Sequence, residues 1–403
     1  MTTKLQYIIF LLCMFIVGNV HGQKKEINQA RQMIKSGNKL ESAEEMMNKL
    51  LLDSANRSNT KIWNTLFNVV KKQYEQGNEK LYLKQQYDTA RLFITTRKMF
   101  EILERYDSVE SIPDKNGKIN LKYRDKHADF LNQYRSNLYN GGTFFIKKQN
   151  YKEAYAMLDI YINCASLSLF AKYNYLQNDE LLPEAAYWAV YCGYKMKDTK
   201  ATLLHVGLAV KDTAHYVYTL QYLSETYKRE NDTTLYIKYL SEGFCKYPAS
   251  PFFFPRLIDY YSHEKDYNSA LNIANAALQT DSTNTVYRFA KASILLNTER
   301  YTECIDISNK IILENDTLAD AYLFAGLSYF NQATRLQVNR NNRQQIIQNY
   351  QKACSYLERY REFTPTQVEK WGMPLYKIYY NLNMGKKFEE MDKILSESKN
   401  ANK

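Results

Sequence analysis

The sequence contains few of the residues that build long loops and none of the short patterns that carry catalysis. Only 13 glycines and 7 prolines occur in 403 residues, which excludes many irregular connections and predicts short turns. The chain has no glycine-rich phosphate loop, no serine-centred elbow, no His-x-x-x-His pair and no Cys-x-x-Cys pair. We therefore expect neither an enzyme nor a protein that holds a cofactor or a metal.

Cysteine is scarce and irregularly placed. Six cysteines occur, and an odd number remains if Cys13 is removed with the amino-terminal segment described below. An odd number at wide spacing excludes a disulfide framework, although an oxidising compartment would allow one bridge between Cys164 and Cys192. Cys304 and Cys354 fall where small packed residues are expected. The histidines of the remaining chain lack a spacing typical of metal ligands: His127, His205, His215 and His263.

The amino-terminal segment 1–22 has the pattern of a signal peptide. Lys4 precedes an apolar run over 8–17, and small residues then lead to Gly22 at the usual cleavage spacing. The run is too short to span a bilayer, and Cys13 lies inside it after two leucines, which argues against a lipid anchor. We expect cleavage after Gly22, a mature chain without a transmembrane segment, and an exported protein that is periplasmic, outer-membrane associated or secreted.

Tyrosine and positive charge are what the sequence has in excess. There are 36 tyrosines, and the simplest interpretation is that they pack between helices with their hydroxyls at the surface. The net charge of +11 is one lower without Lys4 and suits an anionic glycan, a lipid headgroup or an acidic partner. No lysine or arginine cluster is dense enough to indicate nucleic acid as a partner.

A repeated spacing organises the centre of the chain. Four units begin at Val217, Pro251, Thr285 and Ala319, with an interval of 34 each time. One equivalent position carries a large residue in every unit: Tyr227, Tyr261, Leu295 and Tyr329. In the last unit, Ala325 and Gly326 lie among large residues three to four apart, where they would let a neighbouring backbone approach closely. The spacing of large and small residues therefore predicts that each unit forms a helix, a turn and a second helix.

These units resemble the tetratricopeptide repeat, a 34-residue helical hairpin with a pattern of aromatic, small and turn residues. Tyr267 and Ala270 open a second helix in the expected way, Tyr301 and Cys304 do so in the next unit, and Pro248 stands at a closing position. The resemblance implies an all-α fold, namely a right-handed superhelical solenoid of stacked antiparallel helical hairpins.

The flanking segments fit the same plan with less regularity. Segment 121–148 predicts one long helix, and a turn cluster from Pro113 to Gly117 separates it from the hairpins before it. The expected organisation is a signal peptide (1–22), irregular helical hairpins (23–110), a hairpin with an extended first helix and a spacer (119–182), the in-register array (183–365), a degenerate carboxy-terminal hairpin (366–395) and a disordered tail (396–403).

An insertion at about 332–348 interrupts the array. The interval from Cys304 to Ala353 is 49, where the repeat predicts 34. The inserted residues are rich in arginine, asparagine and glutamine. We favour the interpretation that both helices of this unit extend beyond the stack; the alternative is a projecting basic arm that touches a partner.

The resemblance implies binding through a concave groove that first helices line. Outward positions of the first helices then give the expected contact residues: Tyr187, Tyr191, Tyr194, Lys195, Tyr218, Gln221, Glu225, Lys228, Arg229, Phe252 and Asp259. Tyr187 and Tyr191 stand where family members that bind chaperone tails have a lysine and asparagine clamp, so that ligand class is not expected here.

Two functions from different classes fit this surface. The first is a non-catalytic scaffold of the cell envelope that binds a protein or peptide partner in the groove. The alternative is a carbohydrate or peptidoglycan-binding protein whose tyrosines stack against sugar rings. In either case recognition should concentrate between Pro183 and Asp259, where aromatic and basic residues of first helices cluster.

Overall fold

The computed structural model describes the backbone of residues 23–401 and the side chains of residues 23–397. The predicted signal peptide and Cys13 lie outside the described residues. Every regular element in the described range is helical, so the predicted all-α class is confirmed. None of the helices in this range is both long and apolar enough to cross a membrane.

The helices are numbered here in chain order. They are α1 (residues 23–36), α2 (Leu40–Leu52), α3 (Thr60–Tyr82), α4 (Thr89–Glu110), α5 (Arg124–Asn132), α6 (Arg135–Lys147), α7 (Tyr151–Asn163), α8 (Tyr175–Asn178), α9 (Leu182–Met196), α10 (Thr199–Leu204), α11 (Val206–Ala209), α12 (Tyr216–Arg229), α13 (Thr233–Lys246), α14 (Phe253–His263), α15 (Tyr267–Thr280), α16 (Thr285–Asn297), α17 (Tyr301–Glu314), α18 (Ala319–Arg335), α19 (Arg343–Phe363), α20 (Val368–Asn381) and α21 (Gly385–Ala401). Two short 3₁₀ helices cover Ser54–Asn56 and Ser168–Tyr173.

The chain forms two compact units that divide between Asn231 and Asp232. In the first unit, the hairpins α3–α4, α6–α7 and α9–α10 pack one after another around a continuous apolar core. Its largest buried side chains include Phe100 and Phe170. In the second unit, α14–α15, α16–α17 and α18–α19 form successive hairpins, and α20–α21 covers the end. Tyr360 of α19 and Trp371 of α20 lie in its core.

The predicted 34-residue register is visible in the residues at which the helices begin. Helices α10, α13, α15 and α17 start at positions 199, 233, 267 and 301, so that the interval between consecutive starts is 34 each time. First helices keep the same interval from Leu182 to Tyr216 and from Thr285 to Ala319. The spacing read from side-chain pattern therefore corresponds to the physical repeat of the helices.

In the turns inside the hairpins, residues other than glycine take the left-handed backbone conformation, which explains why the chain needs so little glycine. In the turn before α10, Lys197 takes the left-handed backbone conformation with φ 58°, and the next residue, Asp198, accepts a hydrogen bond from the Ala201 backbone N–H at 3.0 Å. The turn before α15 repeats this, with Lys265 at φ 57° followed by Asp266 as the cap. A capping carboxylate satisfies one of the N–H groups that a helix leaves unpaired at its start.

Close helix contacts depend on small residues. A Cβ atom on Gly326 would lie 2.7 Å from Cγ of Leu357, which confirms the close approach predicted at that position. At Gly193 the close neighbour is backbone: a Cβ there would lie 2.7 Å from the carbonyl carbon of Ala201. Consequently α9 and α10 can pack at their observed separation only if residue 193 has no side chain.

The predicted long helix over 121–148 is wrong, and so is the extended first helix of its hairpin. The segment forms α5 and α6, which are separated at Gln133 and Tyr134. There the backbone hydrogen bonds span three residues instead of four, from Gln133 N–H to Phe130 O at 3.3 Å and from Tyr134 N–H to Leu131 O at 2.9 Å. Arg135 begins α6 buried, in an ion pair with Asp179 at 2.7 Å, and this distant partner sets the new helix direction.

Three further expectations have structural outcomes. Helix α21 runs to Ala401 and so includes 396–401, where a disordered tail was expected. Helices α18 and α19 have 17 and 21 residues, whereas α16 and α17 of the preceding hairpin have 13 and 14. This difference is what the interpretation of the insertion as two extended helices requires. Cys164 and Cys192 are both buried free thiols, so the bridge between them does not form.

We expect Gly193→Ala to lower the free energy of unfolding by at least about 2 kcal/mol, because the added methyl group overlaps backbone that cannot move aside. Gly207→Ala is the matched control in α11, where a Cβ would meet nothing within 4 Å, and it should be neutral or stabilising by up to about 1 kcal/mol. Urea denaturation followed by circular dichroism measures both. Equal midpoints for the two variants would contradict the backbone contact.

Candidate functional site

Helices α9 and α12 bring the predicted aromatic residues together. Tyr187, Tyr191 and Tyr194 are spaced by four and three residues, which places them along one face of α9. The opposite side of α9 is buried and rich in alanine, so it packs closely on its neighbours. Helix α12 packs against α9 and contributes Tyr218 and Tyr222. We call these five residues the tyrosine surface.

Tyr222 is the centre of the tyrosine surface. Its ring centroid lies 4.7 Å from that of Tyr194 in a stacked arrangement and 5.6 Å from that of Tyr191. The Tyr187 ring is a third neighbour, with centroids 6.3 Å apart. One residue of α12 therefore contacts three tyrosines of α9, and the two helices present a single aromatic surface.

Tyr187 supports this surface from beneath. Its side chain is only 4 % exposed, and its ring stacks on His215 at a centroid distance of 4.3 Å. His215 is held in turn by Asp212, with 2.7 Å between Nδ1 and Oδ2. The prediction that Tyr187 contacts a partner in the groove is therefore corrected, because burial against the turn before α12 removes its ring from solvent.

The exposed edge of the tyrosine surface is basic. The Lys195 ammonium lies 5.6 Å from the centre of the Tyr191 ring, and the Arg229 guanidinium lies 5.7 Å from the centre of the Tyr194 ring. Both cations are exposed, as is Tyr218 at 46 %. The cations thus lie over the rings of Tyr191 and Tyr194 while their charge remains in water.

The other predicted contact residues are distributed more widely. Gln221 and Glu225 are half-buried on α12, and Lys228 is exposed near its end. Phe252 and Asp259 belong to the second unit, whereas the tyrosine surface lies wholly in the first. The Phe252 ring is covered by the Arg256 guanidinium at 3.7 Å, and Asp259 is exposed on α14.

Sequence reasoning missed several residues of the site. Tyr222 was absent from the expected contacts, although it follows Trp188 by one repeat period and so occupies the same repeat position with an aromatic ring. Tyr151 was also missed, and its ring meets Tyr191 edge-on at 5.8 Å. His215 carried no sequence signal, because its role comes from stacking on Tyr187.

The hydroxyls of Tyr191 and Tyr222 are uncharged at neutral pH. Burial, followed by a hydrogen bond with Tyr151, raises the pKa of Tyr191 to about 12. Burial also raises the pKa of Tyr222, with a hydrogen bond to Tyr187 as the next cause. The surface can therefore offer neutral hydroxyl donors and aromatic faces beside two cations, a combination suited to peptide backbone and to apolar or acidic side chains.

Glu104 of α4 is the titratable group whose environment most resembles that of a catalytic acid. Its Oε1 atom is buried without a hydrogen-bond partner among the described residues, and burial, followed by the charges of Glu101 and Asp159, raises its pKa to about 7. Asp159 is already engaged, with 2.7 Å between its Oδ1 atom and Nε2 of His205. A cavity of about 580 Å³ beside α4 is lined by Glu101 and Arg105, and Glu104 is not among its lining residues.

Potential metal ligands are scattered over the described residues. Within that range, no group of three or more histidine, cysteine, aspartate or glutamate side chains is arranged to hold a metal ion. Cys192 behaves as a packed thiol, since burial raises its pKa to about 12.

Comparison with known families supports the repeat type. The family model described as anaphase-promoting complex, cyclosome, subunit 3 matches residues 263–337, a range that includes helices α15 to α18. The predicted resemblance to the tetratricopeptide repeat is confirmed. Repeats of this type are typically non-catalytic, and such a fold suggests a protein-interaction scaffold. A comparison with curated proteins found no match.

Solved structures with similar folds include several repeat proteins. MamA residues 41 to the end, from Desulfovibrio magneticus RS-1, is 14 % identical, with 46 % of this chain and 96 % of that chain covered and a TM-score of 0.38. The carboxy-terminal part of a TPR repeat-containing protein from Cytophaga hutchinsonii is 13 % identical, with 63 % and 92 % covered and a TM-score of 0.43. Yeast Tom70 is 13 % identical, with 90 % and 89 % covered and a TM-score of 0.34.

We expect Glu104→Gln to stabilise the protein at pH 8 by on the order of 2 kcal/mol and to leave its stability at pH 5 nearly unchanged. The folded-state pKa of about 7 exceeds the ordinary value of 4.5. The stability that protonated Glu104 contributes is therefore fully present below pH 4.5 and is lost as the pH rises through 7. Urea midpoints at both pH values measure the effect, with exposed Glu180→Gln as control. A gain of the same size at pH 5 would contradict the assignment.

Proposed function

We propose that this chain is a non-catalytic scaffold that binds an extended segment of a partner protein on the tyrosine surface. The observation that carries the proposal is the stacking of Tyr222 on Tyr194 at 4.7 Å, with Tyr191 beside it at 5.6 Å. This contact joins the faces of two successive first helices into one aromatic surface. The fold class supports the same role, since stacked helical hairpins commonly bind peptides along their first helices.

The chemistry of the surface favours a particular kind of segment. Neutral tyrosine hydroxyls can donate to backbone carbonyl groups, and the ring faces can receive apolar side chains. Lys195 and Arg229 lie over the rings of Tyr191 and Tyr194 and would attract carboxylates. We therefore propose a partner segment that carries both apolar and acidic side chains.

We also propose that the protein acts outside the cytoplasm, in a bacterial cell envelope. The support is the amino-terminal sequence: an apolar run over 8–17 follows Lys4 and is followed by small residues up to Gly22. This order is typical of a cleaved signal peptide. Amino-terminal sequencing of protein recovered from the envelope fraction tests the proposal, because a chain that still begins at Met1 would overturn it.

Replacement of exposed residues of the tyrosine surface and its basic edge should weaken partner binding without disturbing the fold. We expect a Lys195→Glu, Arg229→Glu, Tyr218→Ala triple variant to bind the partner at least about tenfold more weakly, because two attractive charges become repulsive and one exposed ring is lost. The partner is first identified as a stoichiometric polypeptide that residues 23–403 retain from an envelope extract. Binding is then measured by calorimetry.

The matched control makes changes of the same kind elsewhere: Lys310→Glu, Lys386→Glu and Tyr380→Ala, all at exposed positions. It should bind the partner within about twofold of the unaltered protein, as expected for surface changes outside an interface. Equal affinities for the two triple variants, with both still helical, would show that the tyrosine surface is not the binding site. Retention on purified peptidoglycan with no polypeptide partner would overturn the proposal of a protein scaffold.

A further inference from the structure

The connection between α4 and α5, residues 111–123, is a projecting loop with an ordered tip. We call it the lysine loop. Asp114 closes the tip: its backbone N–H donates to Lys118 O at 2.9 Å, and its carboxylate accepts from the backbone N–H groups of Asn116 at 2.8 Å and Lys118 at 2.9 Å. Gly117 takes φ 75° to complete the turn. The tip therefore has a defined shape although it belongs to no helix.

Both ends of the lysine loop are held by side chains. The Arg124 guanidinium donates to both carboxylate oxygens of Asp107 at 2.8 Å and to the Ser111 hydroxyl at 2.9 Å. The Tyr123 backbone N–H donates to Glu110 at 3.3 Å. A bidentate arginine contact of this kind fixes orientation as well as distance, so the loop leaves the helices in a set direction.

The surface of the lysine loop combines aliphatic side chains with positive charge. Every residue from 112 to 120 is exposed, including Ile112 at 63 % and Ile119 at 49 %. Lys115, Lys118 and Lys122 are exposed too, and no carboxylate in the described part of the chain forms an ion pair with them. The one acidic side chain at the tip, Asp114, is already engaged by backbone N–H groups.

This combination points to one kind of partner. A convex tip has no pocket to receive the side chains of a folded protein, and space is open around Gly117, where a Cβ would meet nothing within 4 Å. A lipid interface deforms around such a tip, accepts isoleucine side chains among its acyl chains and offers phosphates to lysine. The three lysines form no ion pair among the described residues, and Lys122 lies near Glu110 without pairing with it, so they complement a negatively charged surface.

We propose that the lysine loop docks this protein on the surface of an anionic bilayer, with Ile112 and Ile119 entering the interface and Lys115, Lys118 and Lys122 contacting lipid phosphates. This site is separate from the tyrosine surface, and the inference does not depend on the proposed scaffold function. It assigns a peripheral membrane contact to a chain whose described helices are all unsuited to crossing a membrane.

Vesicle sedimentation tests the proposal directly. Residues 23–403 should sediment with vesicles of phosphatidylcholine mixed with phosphatidylglycerol and stay in the supernatant with phosphatidylcholine alone. Lys115→Glu with Lys118→Glu should lower the partition coefficient roughly 25-fold or more, since each lysine near an anionic surface contributes about fivefold. Lys310→Glu with Lys386→Glu makes the same change of net charge elsewhere and should leave partitioning within about twofold, because these side chains are exposed outside the loop.

The aliphatic contribution has its own pair of variants. Ile112→Ser with Ile119→Ser should lower the partition coefficient about tenfold, whereas Val286→Ser with Leu313→Ser, at similarly exposed positions, should not change it. If the loop variant (Lys115→Glu with Lys118→Glu) and the control variant (Lys310→Glu with Lys386→Glu) lose vesicle binding equally, net charge alone is responsible and the proposal fails. An unchanged partition coefficient in the isoleucine variant would overturn docking by insertion and indicate an acidic macromolecule as the partner of this loop.

Discussion

The close contact between α9 and α10 is the constraint on which the presentation of the tyrosine surface depends. Gly193 brings its backbone against the backbone of Thr202 and Ala201, and fully buried alanines on the same helix allow comparable approach on its other sides. Because α9 is held this closely, Tyr191 and Tyr194 on its other face meet Tyr222 of α12, and Tyr191 also meets Tyr151 of α7. The small residues on one side of the helix thus determine what the large residues on the other side can contact.

Much of the fold follows from local pattern, and the departures follow from distant contacts. The repeat register and the hairpin order could be read from sequence because apolar spacing and turn residues recur within each unit. The break between α5 and α6 could not, since it depends on Arg135, whose guanidinium lies 3.8 Å from the ring centres of both Tyr161 and Tyr175 and pairs with Asp179. These partners belong to α7 and to the segment around α8, and the residues next to Arg135 in the sequence do not predict these contacts.

The candidate site shows the same division. Spacing along a helix grouped Tyr191, Tyr194 and Lys195, because residues three to four apart share a face. It failed for Tyr187, whose burial depends on a histidine supplied by the turn before α12, and it overlooked Tyr222, whose importance comes from contacts with the neighbouring helix. A repeat alignment that asks which positions are aromatic in successive units, as Trp188 and Tyr222 are, would have recovered the central ring.

The left-handed turns bear on how stable this chain could become. Lys197 and Lys265 hold a backbone conformation that costs a residue with a side chain about 1 kcal/mol, and Gln149 and Glu299 do the same at equivalent turns. All four residues are exposed and lie outside the tyrosine surface. Because Glu299 also pairs with Arg335, asparagine at Lys197, Lys265 and Gln149 is the change that would raise the thermal stability of the protein without altering the tyrosine surface.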